Sequence, residues 1–347
     1  MEAGSRRHAV LSALPFAMMA AVAVADVAAG PAVGFLPLVA LGPAFAPLIG
    51  SWRRTACVGG VALLLCVALG WYNGLLGAVR GFMSIASVAG VTAAGLVAVS
   101  MRQQREAELA SVRSIAEAAQ RVLLKPVPRL AGRVRAAVSY MSAVTEARIG
   151  GDLYEVVISP NGVRVIVGDV QGKGLEAVET AAVVLGAFRE AAPEETSLAE
   201  VGCRLERAVE RDLEGEKFVT AILAEVKAEQ VVFLNFGHPA PLLIRADGTT
   251  SWADPPCHAL PLGLSAHLDH PEPFCIDFLP GDQLLLYTDG VTEARDAEGR
   301  FYPLADRAHL LNERDPEAAL ETLRQDLLQH ARGPLHDDAA MLLLRYR

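Results

Sequence analysis

Charge is almost absent from the first hundred residues of this 347-residue chain. Arg6, Arg7, Arg53, Arg54 and Arg80 stand against Glu2 and Asp26 there, a net of +3, so the total of −9 leaves −12 on the remainder. An acidic remainder repels phosphate backbones, which sets nucleic acid aside as a partner. Cysteine is scarce as well, five residues with no CxxC. Cys57 and Cys66 lie in apolar runs while Cys203, Cys257 and Cys275 are scattered, so neither a zinc site nor a disulfide framework is implied. This pattern fits small buried residues in a reducing cytosol. Two chemical signatures are also missing. GDVQGKG (168–174) has three residues between its first Gly and the GK pair and Gly174 after the Lys, where a P-loop needs four and a Ser or Thr. No G-x-S-x-G elbow or reactive cysteine motif offers a nucleophile.

Long apolar runs fill the space that charge leaves. The 52% hydrophobic content and mean hydropathy of +0.32 arise almost entirely before Met101. Four segments at roughly 9–29, 31–50, 56–73 and 81–100 approach the ~20 residues that a bilayer core requires. Arg6 and Arg7 precede the first, Arg53 and Arg54 separate the second from the third, Arg102 and Arg105 follow the fourth, and Arg80 alone falls on the other side. The positive-inside rule then predicts a multi-pass cell-membrane protein with both termini in the cytoplasm. Trp71 and Tyr72 fit an interfacial belt at the outer side. A signal peptide cleaved near Ala23 and Ala25 is the rival for the first segment, and it still delivers the rest of the chain to the cytoplasm.

Between Met101 and Leu124 the composition turns to Arg, Gln, Glu, Ala and Leu, all good helix formers. Leu109, Val112, Ala116, Ala119 and Leu123 follow 3-4-3-4 spacing, and Pro126 and Pro128 end the run. Two readings stand level: an amphipathic helix packed on the following domain, and a parallel homodimer seam that transmits state from the membrane. The domain plan is therefore 1–100 transmembrane, 101–125 linker helix and 126–347 a compact domain.

In that domain, aspartates abut apolar strands at four stations. Gly150, Gly151 and Asp152 precede LYEVVI; Asp169 follows VRVIV; Thr288, Asp289 and Gly290 follow DQLLLY; Asp337 and Asp338 precede AAMLLLRY. Val163, Val165 and Val167 alternate with Arg164 and Ile166, which predicts a strand that stops at Gly168 and Asp169. Gly172 and Gly174 give a tight turn into a helix from Leu175. FVTAILAEV and VVFLNFG flank a short link as a hairpin, Ser197 and Glu200 form a capping box, and a further helix runs from about Pro316 to His330. Interleaved hairpins and helices predict an α+β layered sandwich. Aspartates brought together repel unless cations compensate, and all-oxygen ligation favours Mg²⁺ or Mn²⁺ over zinc. A pair of such ions lowers the pKa of a shared water and clamps a phosphoryl group for in-line displacement.

GGDLYEV, GDVQGKG, NFGHPAP, LPLGL, LLLYTDGVTEARD and the terminal DD, in this order, resemble the bacterial sporulation-stage (SpoIIE-type) branch of the metal-dependent type 2C (PPM) serine/threonine protein phosphatases. The likeness covers roughly residues 120–347. It implies two antiparallel sheets flanked by helices, with two Mn²⁺ or Mg²⁺ ions at one end and a metal-activated water that attacks without a phosphorylated enzyme intermediate. Carried over, Asp169 bridges both metals with the Val170 carbonyl as a further ligand, Asp289 and Asp337 complete the second metal, and Asp152 binds metal or holds its waters. A doubled Asp lets either residue face inward, so Asp338 stands beside Asp337 as a ligand candidate. The family places a hydroxyl residue shortly after that pair, where this chain has Ala339 and Ala340. Asp169 and Asp289 are the expected catalytic centre. Arg148 and Lys173 are candidate substrate contacts against a background of solvated charge, and His238 reads as a structural turn residue. The resemblance points to a phosphorylated anti-sigma factor antagonist as substrate. GGD also opens the diguanylate cyclase signature, but Leu153 and Tyr154 break it. The rival from another class is a catalytically silent signalling module of the same fold.

Overall fold

Uncharged runs of Ala, Val and Leu satisfy their backbone by coiling, and the first hundred residues do so. The computed structural model describes residues 2–30, 35–142, 150–212, 217–264 and 271–347. The chain divides into two units, Met1–Ala110 and Ser111–Arg347. The first contains α1 (Glu2–Ala29), a 3-10 turn at Leu36–Ala40, α2 (Leu41–Ile49), α3 (Trp52–Tyr72) and the beginning of α4 (Val79–Leu123). Met19, Leu36, Val39, Val58, Cys66 and Val88 form its core. Among the described residues α3 and α4 are long and apolar enough to cross a membrane, while Ala13–Ala29 and Leu36–Leu48 are shorter.

Two boundaries differ from the sequence reading. The second apolar segment is a 3-10 turn followed by a nine-residue helix, because Pro37, Pro43 and Pro47 each remove a backbone donor. The fourth segment and the linker are one helix of 45 residues, since the change from apolar to Arg, Gln and Glu alters the surroundings but not the helix propensity. Asp26 is buried at the end of α1, where Asn73 Nδ2 donates to its Oδ2 at 2.8 Å.

In the second unit β-branched and leucine runs build a sandwich. Its elements are β1 (Leu130–Ala131), β2 (Val134–Met141), β3 (Leu153–Ser159), β4 (Gly162–Val170), α5 (Leu175–Glu194), α6 (Leu198–Asp212), β5 (Val219–Lys227), β6 (Gln230–Phe236), β7 (Leu242–Ile244), β8 (Thr250–Trp252), β9 (Phe274–Asp277), β10 (Gln283–Tyr287), α7 (Asp289–Thr292), α8 (Pro316–Ala331) and β11 (Ala339–Tyr346). One sheet has the order β1-β2-β11-β10-β7-β8 and the other β3-β4-β5-β6-β9. Every ladder is antiparallel.

Period-2 alternation explains the layers. Val163, Val165 and Val167 face Leu284, Leu286, Leu342 and Leu344 between the sheets. Ile166 turns outward to Leu185, Phe188 and Leu205 of α5 and α6, and Leu285 and Leu343 turn to Leu323 and Leu327 of α8. Each such side chain contributes roughly 1.5–3 kcal/mol by leaving water. Arg164, on the α5 side of β4, is fully buried: Nε pairs with Glu225 Oε1 at 2.7 Å, and Nη1 donates to Ala192 O and Glu195 O at the end of α5. It thereby satisfies carbonyls that a helix terminus leaves without partners. The capping box is present, with Glu200 N donating to Ser197 Oγ and Ser197 N to Glu200 Oε2. The linker heptad is buried over only part of its length: Ala116 packs on Val178 with Leu123, whereas Leu109, Val112 and Ala119 are exposed.

Candidate active site

The four aspartate stations sit at the same end of adjacent strands. β3 begins at Leu153 opposite Gly168, near the end of β4, and in the other sheet β10 ends at Tyr287 opposite Met341, near the start of β11. β4 does not stop at Gly168 and Asp169: β5 keeps pairing with it, Asp169 opposite Thr220 and Val170 opposite Val219. Gly172 and Gly174 then turn the chain at φ of 102° and 86° into α5. Asp289 opens the short α7.

Two glycines let these ends approach. A Cβ on Gly150 would overlap the Asp338 carboxylate, and one on Gly151 would lie 2.5 Å from the Val170 carbonyl oxygen. Thr288 ties the sheets together, its Oγ1 donating to Asp152 Oδ2 at 2.7 Å and accepting from Ala340 N at 2.9 Å. A hydroxyl thus reaches the start of β11, although Ala339 and Ala340 carry none.

The carboxylates form a gradient from interior to solvent. Asp152 and Asp338 are buried, Asp169 and Asp289 half-buried, and Asp337 exposed. Burial pushes the Asp152 carboxyl well above its ordinary range and the Asp169 charge pushes it further, against the Thr288 hydrogen bond. Burial, then Asp289 and Asp337, raise Asp169 from 3.8 to about 7. Burial raises Asp289 too, with Glu293 and Asp337 adding to it. All five aspartates therefore share one negative field. Among the described residues no three acidic, histidine or cysteine side chains are closed into a cation cage. Among the described residues the candidate donors are adjoining, mutually repelling oxygens, which is the donor chemistry that suits a hard cation.

Lys173 Nζ pairs with Asp337 Oδ1 at 2.7 Å, so this candidate stands beside the carboxylates. Arg148 lies outside the described residues. His238 is buried between the sheets. Its Nε2 faces the Tyr287 carbonyl at 3.0 Å and must carry the proton, leaving Nδ1 to accept from Thr220 Oγ1 at 3.1 Å. Burial lowers its pKa from 6.5 to about 4, which fits a neutral structural residue. Two residues escaped the sequence reading. The Tyr140 hydroxyl donates to Asp338 Oδ2, and Gln120 Nε2 donates to the Tyr140 oxygen at 2.8 Å. Tyr140 and Asp338 are 198 positions apart, so no local pattern announces the pair.

Comparison with known proteins agrees with this geometry. The stage II sporulation protein E (SpoIIE) family matches residues 159–347. The phosphoserine phosphatase RsbU of Bacillus subtilis is 27% identical over 208 residues, 58% of this chain and 61% of its own length. The chain thus spans about three-fifths of that curated relative. Among solved structures, the RsbU and RsbW domains of a Mycobacterium tuberculosis protein align with a TM-score of 0.57 at 23% identity, over 65% of this chain and 63% of that one. The SiaA-PP2C domain of Pseudomonas aeruginosa aligns with a TM-score of 0.56 at 17% identity, over 71% and 99%. The second unit has the type 2C phosphatase fold.

Proposed function

Since the chain belongs to the SpoIIE family, we propose that it is a metal-dependent protein phosphatase that hydrolyses phosphoserine or phosphothreonine on a regulatory protein. The carrying observation is the convergence of Asp152, Asp169, Asp289, Asp337 and Asp338 at one end of the strands, where burial and like charge raise the carboxyls of Asp152, Asp169 and Asp289 in a way a cation would reverse. Asp169, Asp289 and Asp337 would hold the ions, with the Val170 carbonyl and one of Asp152 or Asp338 completing the set. When bound, a pair of Mn²⁺ or Mg²⁺ ions supplies Lewis acidity, lowering the pKa of water and neutralising phosphoryl oxygens. Thr288 fixes Asp152 in orientation, and Lys173 stands where its ammonium can meet a phosphoryl oxygen beside Asp337.

The motif resemblance to the sporulation-stage branch supports a phosphorylated anti-sigma factor antagonist as the substrate, and the similarity to the phosphoserine phosphatase RsbU supports phosphoserine as its modified residue. The apolar length of α3 and α4, with the two shorter apolar stretches, supports a multi-pass anchor in the cell membrane and a cytoplasmic phosphatase domain. Val112, Ile115, Ala119 and Val122, exposed at 3-4-3 spacing on α4, support a homodimer through the linker helix. Inserting one residue after Ala116 turns that stripe by about 100°; unchanged association would remove the dimer from the account.

The test is phosphate release from a phosphoserine peptide by the full chain in mild detergent. Release with Mn²⁺, lost with chelator and in Asp169→Asn and Asp289→Asn, is expected. Mn²⁺ binding without hydrolysis of peptide or phosphoprotein would identify a silent signalling module instead.

A further inference from the structure

The last turn of α4 reaches the aspartate cluster through two side chains. Gln120 is a long polar residue only 7% exposed, and its amide donates in two directions, to the Tyr140 hydroxyl at 2.8 Å and to the Gly150 carbonyl at 3.3 Å. Both partners bear on the same carboxylate: the Tyr140 hydroxyl donates to Asp338 Oδ2, and Gly150 packs so closely on that group that no side chain fits between. A phenol that accepts from an amide has its own proton turned away from it, here toward Asp338. Asp338 in turn lies within the field that raises Asp152 and Asp169. Around this contact the helix is incompletely packed, with a groove of about 240 Å³ between Glu117, Gln120 and Leu124 on one side and Tyr140 and Tyr154 on the other.

We propose that Gln120 and Tyr140 are positioning residues for the cation site, a relay by which the last turn of α4 sets the orientation of Asp338. The proposal rests on the metal-dependent reading above. Partners that hydrogen-bond a ligating carboxylate fix its orientation and commonly change metal affinity by about 10–100-fold. A residue one step further out acts only through its neighbour.

The test is calorimetric titration of the full chain in detergent with Mn²⁺, comparing wild type, Tyr140→Phe, Gln120→Leu and the double variant. Tyr140→Phe should weaken Mn²⁺ binding by about 10-fold, and Gln120→Leu by about 3-fold, the scale of one neutral hydrogen bond. The double variant should bind no more weakly than Tyr140→Phe alone, because linked residues are not additive. Leu124→Ala loosens the packing of the same turn against both core clusters without touching the relay, and should leave affinity within twofold. Thermal melting in chelator verifies folding, and if Tyr140→Phe does not fold, Gln120→Leu against Leu124→Ala decides. Unchanged affinity in Tyr140→Phe, additive losses, or a loss in Leu124→Ala equal to that in Gln120→Leu would each overturn the relay. A wild type that binds Mn²⁺ but hydrolyses no phosphoserine peptide would overturn the proposed function alone, and the affinities would still judge the relay. Absence of Mn²⁺ binding by wild type would overturn both.

Discussion

Replacing Asp169 by asparagine should stabilise the cation-free protein while removing its cation binding. Folding raises this carboxyl from 3.8 to about 7, by burial first and then by Asp289 and Asp337. The native chain therefore keeps a proton that the unfolded chain has released. For an acid shifted upward, stability is greatest below the unfolded pKa and falls as pH rises through the interval to the folded value. At pH 8 the full cost corresponds to roughly 4 kcal/mol. Asp169 is only half-buried, so screening brings the expected gain in the variant to about 2–3 kcal/mol. For a domain of this size that is about 5–10 °C in the apparent Tm. The assay is thermal unfolding in excess chelator at pH 6.5 and pH 8. Wild type should lose up to about 0.8 kcal/mol between the two, and Asp169→Asn should lose less. A variant that melts at or below wild type at pH 8 would refute the reasoning, because the aspartates would then not repel one another.

Further outcomes follow from the same contacts. Gly151→Ala places a Cβ 2.5 Å from the Val170 carbonyl oxygen, so β3 and β4 must part at the site; chemical denaturation should show a loss of about 1–3 kcal/mol, with weaker Mn²⁺ binding. His238 is depressed from 6.5 to about 4 by burial, so its contribution to stability is present above 6.5 and lost as pH falls toward 4. Taken as the difference in pH dependence between the parent and His238→Gln, which cancels the opposing carboxylate effects common to both, this should amount to roughly 3 kcal/mol. Lys173→Met should raise KM for a phosphoprotein about fivefold with kcat nearly unchanged, the mark of lost substrate binding; an unchanged KM would reduce Lys173 to a surface partner of Asp337.

Local features of the sequence forecast much of the second unit. Period-2 alternation around Val163–Val167, the hairpin of β5 and β6, the Ser197–Glu200 box and the aspartates at strand ends all arise from neighbours a few residues apart, where spacing reports geometry directly. What spacing does not report is which strand ends meet. Thr288 grips Asp152 across 136 positions and Tyr140 reaches Asp338 across 198, and neither pair leaves a periodic trace. The same limit explains the extension of β4 to Val170, which depends on continued pairing with β5. In the linker, heptad spacing could not separate the turns around Ala116 and Leu123, packed on the domain, from Leu109 and Val112 earlier on the same face, which are exposed. In the first unit the apolar runs marked helices, but prolines rather than hydropathy decided the length of α2.

The central claim is that the converging aspartates hold a pair of cations. Electron paramagnetic resonance of the Mn²⁺-loaded full chain tests it most directly. Two Mn²⁺ held together by this carboxylate set would give a spin-coupled spectrum. The account predicts that coupled signal in wild type and its replacement by an isolated Mn²⁺ signal, or none, in Asp169→Asn. A coupled pair that survives in Asp169→Asn, or a wild type that binds no Mn²⁺, would contradict it.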